Sequence, residues 1–246
     1  MSTIKRYRKE EQESYCLGIT VSIEYLLNRP AVVNKVYVHS AFTTGETRDK
    51  VYDLCAKNRI PIEENDKAFS ILSQKENCFV IAMIAKYVDT IDIHTSHVVL
   101  VNPSNAGNIG TIIRSATGFG IPDIAIVRPA VDIFDPKVIR ASMGALSRVR
   151  VEYFDTYNDY KKKTAMVGER YSYPFMLDGS QSLHETTIAE PFSLIFGNEA
   201  TGLPKEFACV GQPVRIEHGH GIDSLNLPIA ASIGLYEATK NHDFEA

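Results

Sequence analysis

The feature that most constrains the fold is the order of apolar and helical segments in the middle of the chain. Residues 97–102 (HVVLVN) and 123–127 (DIAIV) are short and almost wholly apolar, which is typical of strands buried on both faces of a sheet. Between them, residues 108–120 have helical periodicity and end in glycine. A strand, a helix and a second strand in this order make a βαβ unit with parallel strands. The sequence therefore predicts an α/β fold with a parallel sheet.

The same alternation continues on both sides of this unit. Towards the C-terminus, the pattern predicts helices at residues 135–147 and 227–240 and strands at residues 148–154, 172–177, 192–197 and 213–218. Towards the N-terminus, it predicts helices at residues 14–29, 46–58 and 67–74 and strands at residues 33–40, 60–64 and 78–87. The polar residues 86–96 have no clear period and are predicted to be a linker. We therefore expect one domain at residues 1–90 and another at residues 91–246.

Charge and composition exclude some classes of protein. No apolar run reaches the roughly 18 residues of a membrane span, and the N-terminus is polar, so we expect a cytoplasmic protein. The four cysteines are scattered without CxxC spacing, which predicts buried free thiols rather than a zinc site or disulfides. A net charge of −4 gives no general affinity for a polyanion, so only local basic clusters can bind RNA. The candidates, each of which is also typical of a solvated surface, are Lys5–Lys9, Lys161–Lys163, Arg140, Arg148 and Arg150.

The first candidate functional segment is NPSNAGNIGTIIRSATGFG (102–120). It joins a strand end to a helix through a loop rich in Asn and Gly, and it places Arg114 about two turns into the helix. Glycines let a backbone approach a ligand, and the amides of a helix start suit an anion. The segment has neither the GxGxxG order of a dinucleotide fold nor the GK[ST] ending of a P-loop. Two interpretations remain open at this point: the segment binds a ligand, or its Asn and Gly residues only form the turn.

The second segment is FSLIFGNEATGLP (192–204). Here an apolar strand ends abruptly in Gly197, Asn198 and Glu199. In a parallel sheet, ligands bind outside the carboxyl ends of the strands, so this turn is well placed to bind a polar group. The alternative is a tight loop made of good turn formers.

The third segment, residues 214–238, joins a strand to a helix rich in small residues through the sequence HGHGIDSLN. Ser224 and Asn226 stand at the start of that helix. The alternative to a functional role is an N-cap, which Asp223, Ser224 or Asn226 can each provide. His218 and His220 lack a third ligand, so we predict no metal site.

In order and spacing, these three segments resemble the signature motifs of the SpoU family of RNA ribose methyltransferases, in the SPOUT superfamily. The resemblance covers residues 97–240. It implies a C-terminal SPOUT α/β domain with a parallel sheet and a deep trefoil knot. Residues 14–85 resemble, more loosely, the small α/β ribosomal-protein-like RNA-binding domain that precedes many such domains.

The resemblance also implies roles for individual residues. The expected catalytic residues are Arg114, Asn108, Glu199, Ser224 and Asn226. The expected cofactor-binding residues are Leu177, Gly197, Ile216, Leu225 and Asn226. The expected RNA-binding residues are Arg114 and Arg140. Pro228 departs from the valine common in the family, but a proline is tolerated in the first turn of a helix.

The implied activity is transfer of a methyl group from S-adenosylmethionine to a ribose 2′-hydroxyl of RNA, without a metal, by a homodimer. Ribosomal RNA is the preferred substrate and transfer RNA the second choice; both a housekeeping and an antibiotic-resistance role stay open. A non-enzymatic RNA-binding or assembly factor with the same fold is the main alternative, which the intact Asn108, Arg114 and Glu199 argue against. A nicotinamide oxidoreductase would require a GxGxxG segment that the chain lacks.

Overall fold

A computed structural model describes residues 4–73, 77–219 and 221–244, which form two compact units. The first unit contains the chain up to residue 87 together with residues 132–148. The second contains residues 88–131 and the chain from residue 149 onwards. The packing therefore differs from the expected contiguous division, because residues 132–148 belong with the N-terminal part. The functional division into residues 1–90 and 91–246 stays a prediction.

The N-terminal part of the chain forms a mixed four-stranded sheet with helices. Its elements are β1 (Glu13–Leu17), α1 (Ile19–Asn28), β2 (Val33–Val38), α2 (Glu46–Asn58), β3 (Ile62–Glu64), α3 (Asp66–Leu72) and β4 (Val80–Ala85). The strand order is β1-β4-β2-β3, and only β2 and β3 are parallel. The helix predicted at residues 14–29 is present only from Ile19 to Asn28, and its first residues form the strand β1 instead. Gly18, with φ of 123°, ends the strand β1 before α1 begins, and β1 pairs with β4.

The rest of the chain supplies the larger sheet. Its elements are β5 (His97–Val101), α4 (Ala106–Gly118), β6 (Asp123–Val127), α5 (Pro136–Ala141), β7 (Arg150–Phe154), α6 (Tyr157–Thr164), β8 (Tyr171–Pro174), β9 (Gln181–Ser182), β10 (Phe192–Phe196), β11 (Val214–Arg215) and α7 (Leu227–Thr239). Five strands form a parallel sheet in the order β7-β6-β5-β10-β8, which confirms the predicted α/β class. The strand predicted at residues 213–218 is reduced to β11, which pairs with β9, and α6 was not predicted.

Residues 132–148 are held in the first unit by polar contacts. Lys86 donates a hydrogen bond of 2.8 Å to the Asp132 carboxylate, and the Tyr7 hydroxyl donates one of 2.7 Å to the same group. The helix predicted at residues 135–147 is shortened to α5, because Met143 takes a left-handed conformation with φ of 53°. The contacts explain why this segment packs with the N-terminal chain.

The parallel sheet is buried on both faces. Val99 and Ile195 pack on one face with Tyr160 of α6, whereas the alternate residue Val98 points to the other face and is equally buried. Helices α4 and α7 pack against each other, and the Ser115 and Ser232 hydroxyls lie 2.8 Å apart. None of the helices in the described ranges is long and apolar enough to cross a membrane. All four cysteines are free; Cys209 is exposed, contrary to the expected burial, and the other three are buried.

Candidate active site

The candidate site lies where three parallel strands end. Strand β10 lies between β5 and β8, with Phe196 paired to Leu100 and Ile195 paired to Pro174. The turns that follow these strands therefore leave the sheet at the same edge, where ligands bind in open α/β sheets. This brings residues 102–105, 175–178 and 197–202 together.

The loop after β10 requires a glycine at its first position. A Cβ atom on Gly197 would lie 2.2 Å from the carbonyl carbon of Gly202, because the chain folds back over it. Two backbone hydrogen bonds between Asn198 and Gly202, of 3.2 and 2.9 Å, close the loop. The loop therefore has a fixed path, and it presents the Glu199 side chain towards the segment that follows β5.

Glu199 accepts hydrogen bonds from three residues of the first motif. The Ser104 amide and hydroxyl donate to one carboxylate oxygen at 3.1 and 2.8 Å. The Asn105 amide and the Asn108 side-chain amide donate to the other at 3.1 and 3.2 Å. Partial burial acts to raise the pKa of the Glu199 carboxyl, but hydrogen bonds from its own backbone, Ser104 and Asn105 outweigh burial and hold the pKa below its usual value. The carboxylate is thus held ionised between two motifs.

Three residues of this arrangement, Ser104, Asn105 and Asn198, were given no role by the sequence analysis. Asn105 is the N-cap of α4, and its side-chain oxygen accepts a hydrogen bond of 3.1 Å from the Asn108 amide. Asn198 donates its side-chain amide to the Asn102 carbonyl at 2.8 Å and to the Ser104 hydroxyl at 3.3 Å. The available signal was the asparagine before an apolar helix, a typical N-cap, but the helix was predicted to start at residue 108 instead of residue 106.

A cavity of about 580 Å³ lies beside this loop. Its lining includes six of the predicted site residues: Leu177, Gly197, Glu199, Ile216, Ser224 and Leu225. The lining also includes Asp178, Lys205 and His218, none of which was predicted as a site residue. Asn108, Arg114 and Asn226 are not among the lining residues, although Asn108 contacts Glu199.

Two predicted residues, Arg114 within α4 and Asn226 at the start of α7, keep their side chains available. Arg114 is exposed on α4 and has no hydrogen-bond or ion-pair partner among the residues that the structure describes. Asn226 caps α7 through its backbone alone, since its carbonyl accepts from the Ile229 and Ala230 amides at 3.0 Å and its side chain makes no capping bond. Neither side chain is therefore consumed in stabilising its helix.

Several basic residues named as RNA candidates serve as ion-pair partners. Arg148 and Lys163 contact Glu24 and Glu152 at 2.6 Å. Arg150 lies 2.5 Å from the buried Asp123 carboxylate. Arg140 belongs to the first compact unit, and RNA binding by it stays a prediction.

Within the described ranges, no group of three His, Cys, Asp or Glu residues is arranged to hold a metal ion. The second histidine of the HxH pair, His220, lies outside those ranges.

Residues 95–236 match the model of the SpoU rRNA Methylase family. The chain belongs to this family. The SpoU resemblance of the three motifs is thereby confirmed, since the matched range contains the first two segments and the third as far as residue 236.

Among curated SpoU relatives, the chain is similar to a 23S rRNA (uridine(2479)-2'-O)-methyltransferase of Streptomyces viridochromogenes. The identity is 30% over 172 residues, which cover 65% of this chain and 58% of that protein. The chain thus spans little more than half of the length of that relative.

Two solved structures extend the comparison. The SpoU methyltransferase AviRb of Streptomyces viridochromogenes, in complex with the cofactor AdoMet, matches with a TM-score of 0.80 and 21% identity. This match covers 93% of the present chain and 90% of the other. A structure described as giving insights into the 2-OH methylation of C/U34 on tRNA matches with a TM-score of 0.55 and 28% identity. It covers 60% of the present chain and 95% of the other.

Proposed function

We propose that this SpoU protein transfers a methyl group from S-adenosylmethionine to a ribose 2′-hydroxyl of RNA. The observation that carries the proposal is the hydrogen-bond set of Glu199, which joins the first and second motifs beside the cavity. Family membership and the name of the Streptomyces viridochromogenes relative support the same reaction.

The cavity fits the proposed cofactor in size and chemistry. A volume of about 580 Å³ lies within the range of roughly 300–1,000 Å³ that is usual for small-molecule sites. Apolar side chains of Leu177, Ile216 and Leu225 suit the faces of an adenine ring, and Gly197 belongs to the same lining. We infer that these residues, with Asn226, hold S-adenosylmethionine. When bound, it supplies a methyl group on a positively charged sulfonium.

The protein's own residues then have to place and activate the hydroxyl. An arginine guanidinium stays protonated in proteins and is a poor base, so we assign Arg114 to hold the target phosphate and to stabilise the developing alkoxide. A phosphate oxygen or solvent accepts the proton. Asn108 and Asn226 orient the ribose or Arg114, Ser224 lies at the cavity wall, and Glu199 fixes Asn108. This arrangement lowers the barrier chiefly by alignment.

Ribosomal RNA is the proposed substrate class. The curated relative at 30% identity is named for 23S rRNA. We infer that the N-terminal residues 1–90 bind the RNA, as a small α/β domain of the ribosomal-protein-like kind, together with Arg114 and Arg140.

We also propose a homodimer and a knotted C-terminal domain. Exposed Ile229, Ile233 and Tyr236 recur at helical spacing and form an apolar stripe on α7, which supports pairing through this helix. Ile233→Glu is expected to yield monomers in light scattering at micromolar concentration, and dimers of that variant would contradict the interface.

For the trefoil knot, the support is the return of the chain after β10, with β11 on β9 and α7 on α4. A crystal structure with an unthreaded C-terminus would contradict it.

The decisive experiment is transfer of labelled methyl from S-adenosylmethionine to separated ribosomal and transfer RNA pools, followed by nuclease digestion and mapping of the label. We expect label on a ribose oxygen of ribosomal RNA. Label on transfer RNA alone would show that the substrate class is transfer RNA and not ribosomal RNA. Binding of RNA without label on any RNA would favour the alternative, a non-enzymatic RNA-binding or assembly factor.

A further inference from the structure

Lys205 holds a fixed backbone position at the wall of the cavity. It follows Pro204 and lies between two buried apolar residues, Leu203 and Phe207. The Phe207 amide donates a hydrogen bond of 3.0 Å to the Pro204 carbonyl, and the Phe207 ring packs 4.9 Å from the ring of Tyr157. The chain at Lys205 is therefore anchored on both sides, and the flexible side chain starts from a defined point.

The ammonium group of Lys205 is not used inside the protein. Its side chain is exposed, and among the described residues it has neither a hydrogen-bond partner nor an ion-pair partner. Lysines on a surface are often solvated in this way, so the location decides the interpretation. Lys205 is the only lysine or arginine that lines the cavity in the described part of the chain.

The other charged groups of the cavity make the position of Lys205 significant. The Glu199 carboxylate already accepts hydrogen bonds from Ser104, Asn105 and Asn108. Asp178 carries a negative charge on the same lining. An anionic group that enters the cavity therefore meets repulsion from two carboxylates and attraction from one permanent cation.

We propose that Lys205 binds the carboxylate at the amino-acid end of the methyl donor. The inference rests on the proposed function, because S-adenosylmethionine carries that carboxylate at the end opposite its adenine. A charge-assisted hydrogen bond of this kind fixes how far the amino-acid chain enters the cavity and hence where the sulfonium lies. Lys205 is thus a cofactor-binding residue that selects a carboxylated ligand.

The test compares two ligands that differ only in the carboxylate, S-adenosylmethionine and decarboxylated S-adenosylmethionine, by calorimetry on the full chain. We expect the wild-type protein to bind the carboxylated ligand about fivefold to tenfold more tightly. Lys205→Met should abolish this preference while it leaves the affinity for the decarboxylated ligand unchanged. Lys205→Arg should keep most of the preference.

Lys162→Met is the matched control, since Lys162 is an exposed lysine of α6 that does not line the cavity, and it should keep the wild-type preference. A Lys205→Met protein that still prefers the carboxylated ligand would overturn the inference and leave the proposed function intact. The same holds if this variant loses only RNA affinity, which would assign Lys205 to a phosphate. If the wild-type protein binds neither ligand, the proposed function itself fails.

Discussion

Glu199 and Asn108 are joined by a side-chain hydrogen bond of 3.2 Å across 91 positions of sequence. The bond connects the loop after β10 to the first turn of α4. Glu199 also accepts hydrogen bonds from the Ser104 and Asn105 amides. The start of α4 is therefore held in a fixed position relative to the loop after β10. A change at Glu199 should therefore affect both motifs together.

We predict that Glu199→Gln loosens this junction. A glutamine has one acceptor oxygen, so its amide nitrogen would face the donor groups of Ser104 or Asn105. An unpaired donor in a partly buried position costs about 1–3 kcal/mol. We expect faster hydrogen exchange at the Ser104 and Asn105 amides and at least a tenfold rise in the Kd for S-adenosylmethionine. Glu206→Gln, a change on an exposed residue off the cavity lining, is the control, and equal effects in both variants would contradict the prediction.

Arg114→Ala should separate catalysis from cofactor binding. Arg114 is exposed, does not line the cavity and has no partner among the described residues, so its removal should leave the free energy of unfolding and the affinity for S-adenosylmethionine nearly unchanged. Loss of a group that stabilises developing charge lowers kcat by about 100-fold or more. Single-turnover methyl transfer measures the effect. A folded variant that has lost cofactor binding as well would refute the assigned role.

Gly197→Ala should be severely destabilising. The new methyl group would lie 2.2 Å from backbone of Gly202, which no side-chain rotation relieves. We expect a loss of about 3 kcal/mol or more in urea unfolding, together with loss of cofactor binding. In Gly118→Ala, the added Cβ at the end of α4 meets nothing within 4 Å, so we expect unchanged or higher stability, by up to about 1 kcal/mol. Equal stabilities of the two variants would disprove the described loop path.

His97 should make stability depend on pH. The fully buried ring accepts from the Tyr160 hydroxyl at 2.8 Å and donates to the Asp92 carbonyl at 2.8 Å, which satisfies the neutral tautomer. Burial, with the nearby Arg170 charge, lowers the pKa of His97 from 6.5 to about 4. The depressed pKa means that the unfolded chain takes up a proton below pH 6.5 while the folded chain does not. Stability is therefore full above that pH and falls towards pH 4.

Between pH 7 and pH 5 this histidine should contribute a loss of about 2 kcal/mol. Urea unfolding of the wild-type protein and of His97→Gln at both pH values measures it. The variant, although less stable at pH 7, should lose less stability on acidification. Parallel losses in the two proteins would show that His97 titrates normally.

Periodicity predicted the parallel sheet well, because its three central strands, β5, β6 and β10, are short, mostly apolar and buried along almost their whole length. The same reasoning failed at residues 14–29, where Leu17 fits the helical spacing of α1 but belongs to β1. Pairing with β4, a contact distant in sequence, overrides the local pattern there. It failed again at residues 135–147, where the helix ends early at a left-handed turn. A glycine such as Gly144 is typical of such a turn, but the methionine at position 143 gives no sequence signal for it.

For the candidate site, the motifs and the family resemblance gave six residues of the cavity wall but not the hydrogen bonds that join the first two motifs. Glu199 was predicted with its role open, and its partners Ser104 and Asn105 were missed because they lie in a loop whose conformation depends on the strand order. Lys205 was also missed, since its significance comes from the charges of residues that the fold, and not the sequence, places around it.

The two compact units do not correspond to two uninterrupted stretches of chain. A fragment that ends near residue 90 would lack Asp132, to which Lys86 and Tyr7 donate, and a fragment that starts there would carry α5 away from β1, its packing surface. Gene fusion or recombination at residue 90 would thus transfer a first unit that lacks residues 132–148. The two compact units therefore have to be inherited together.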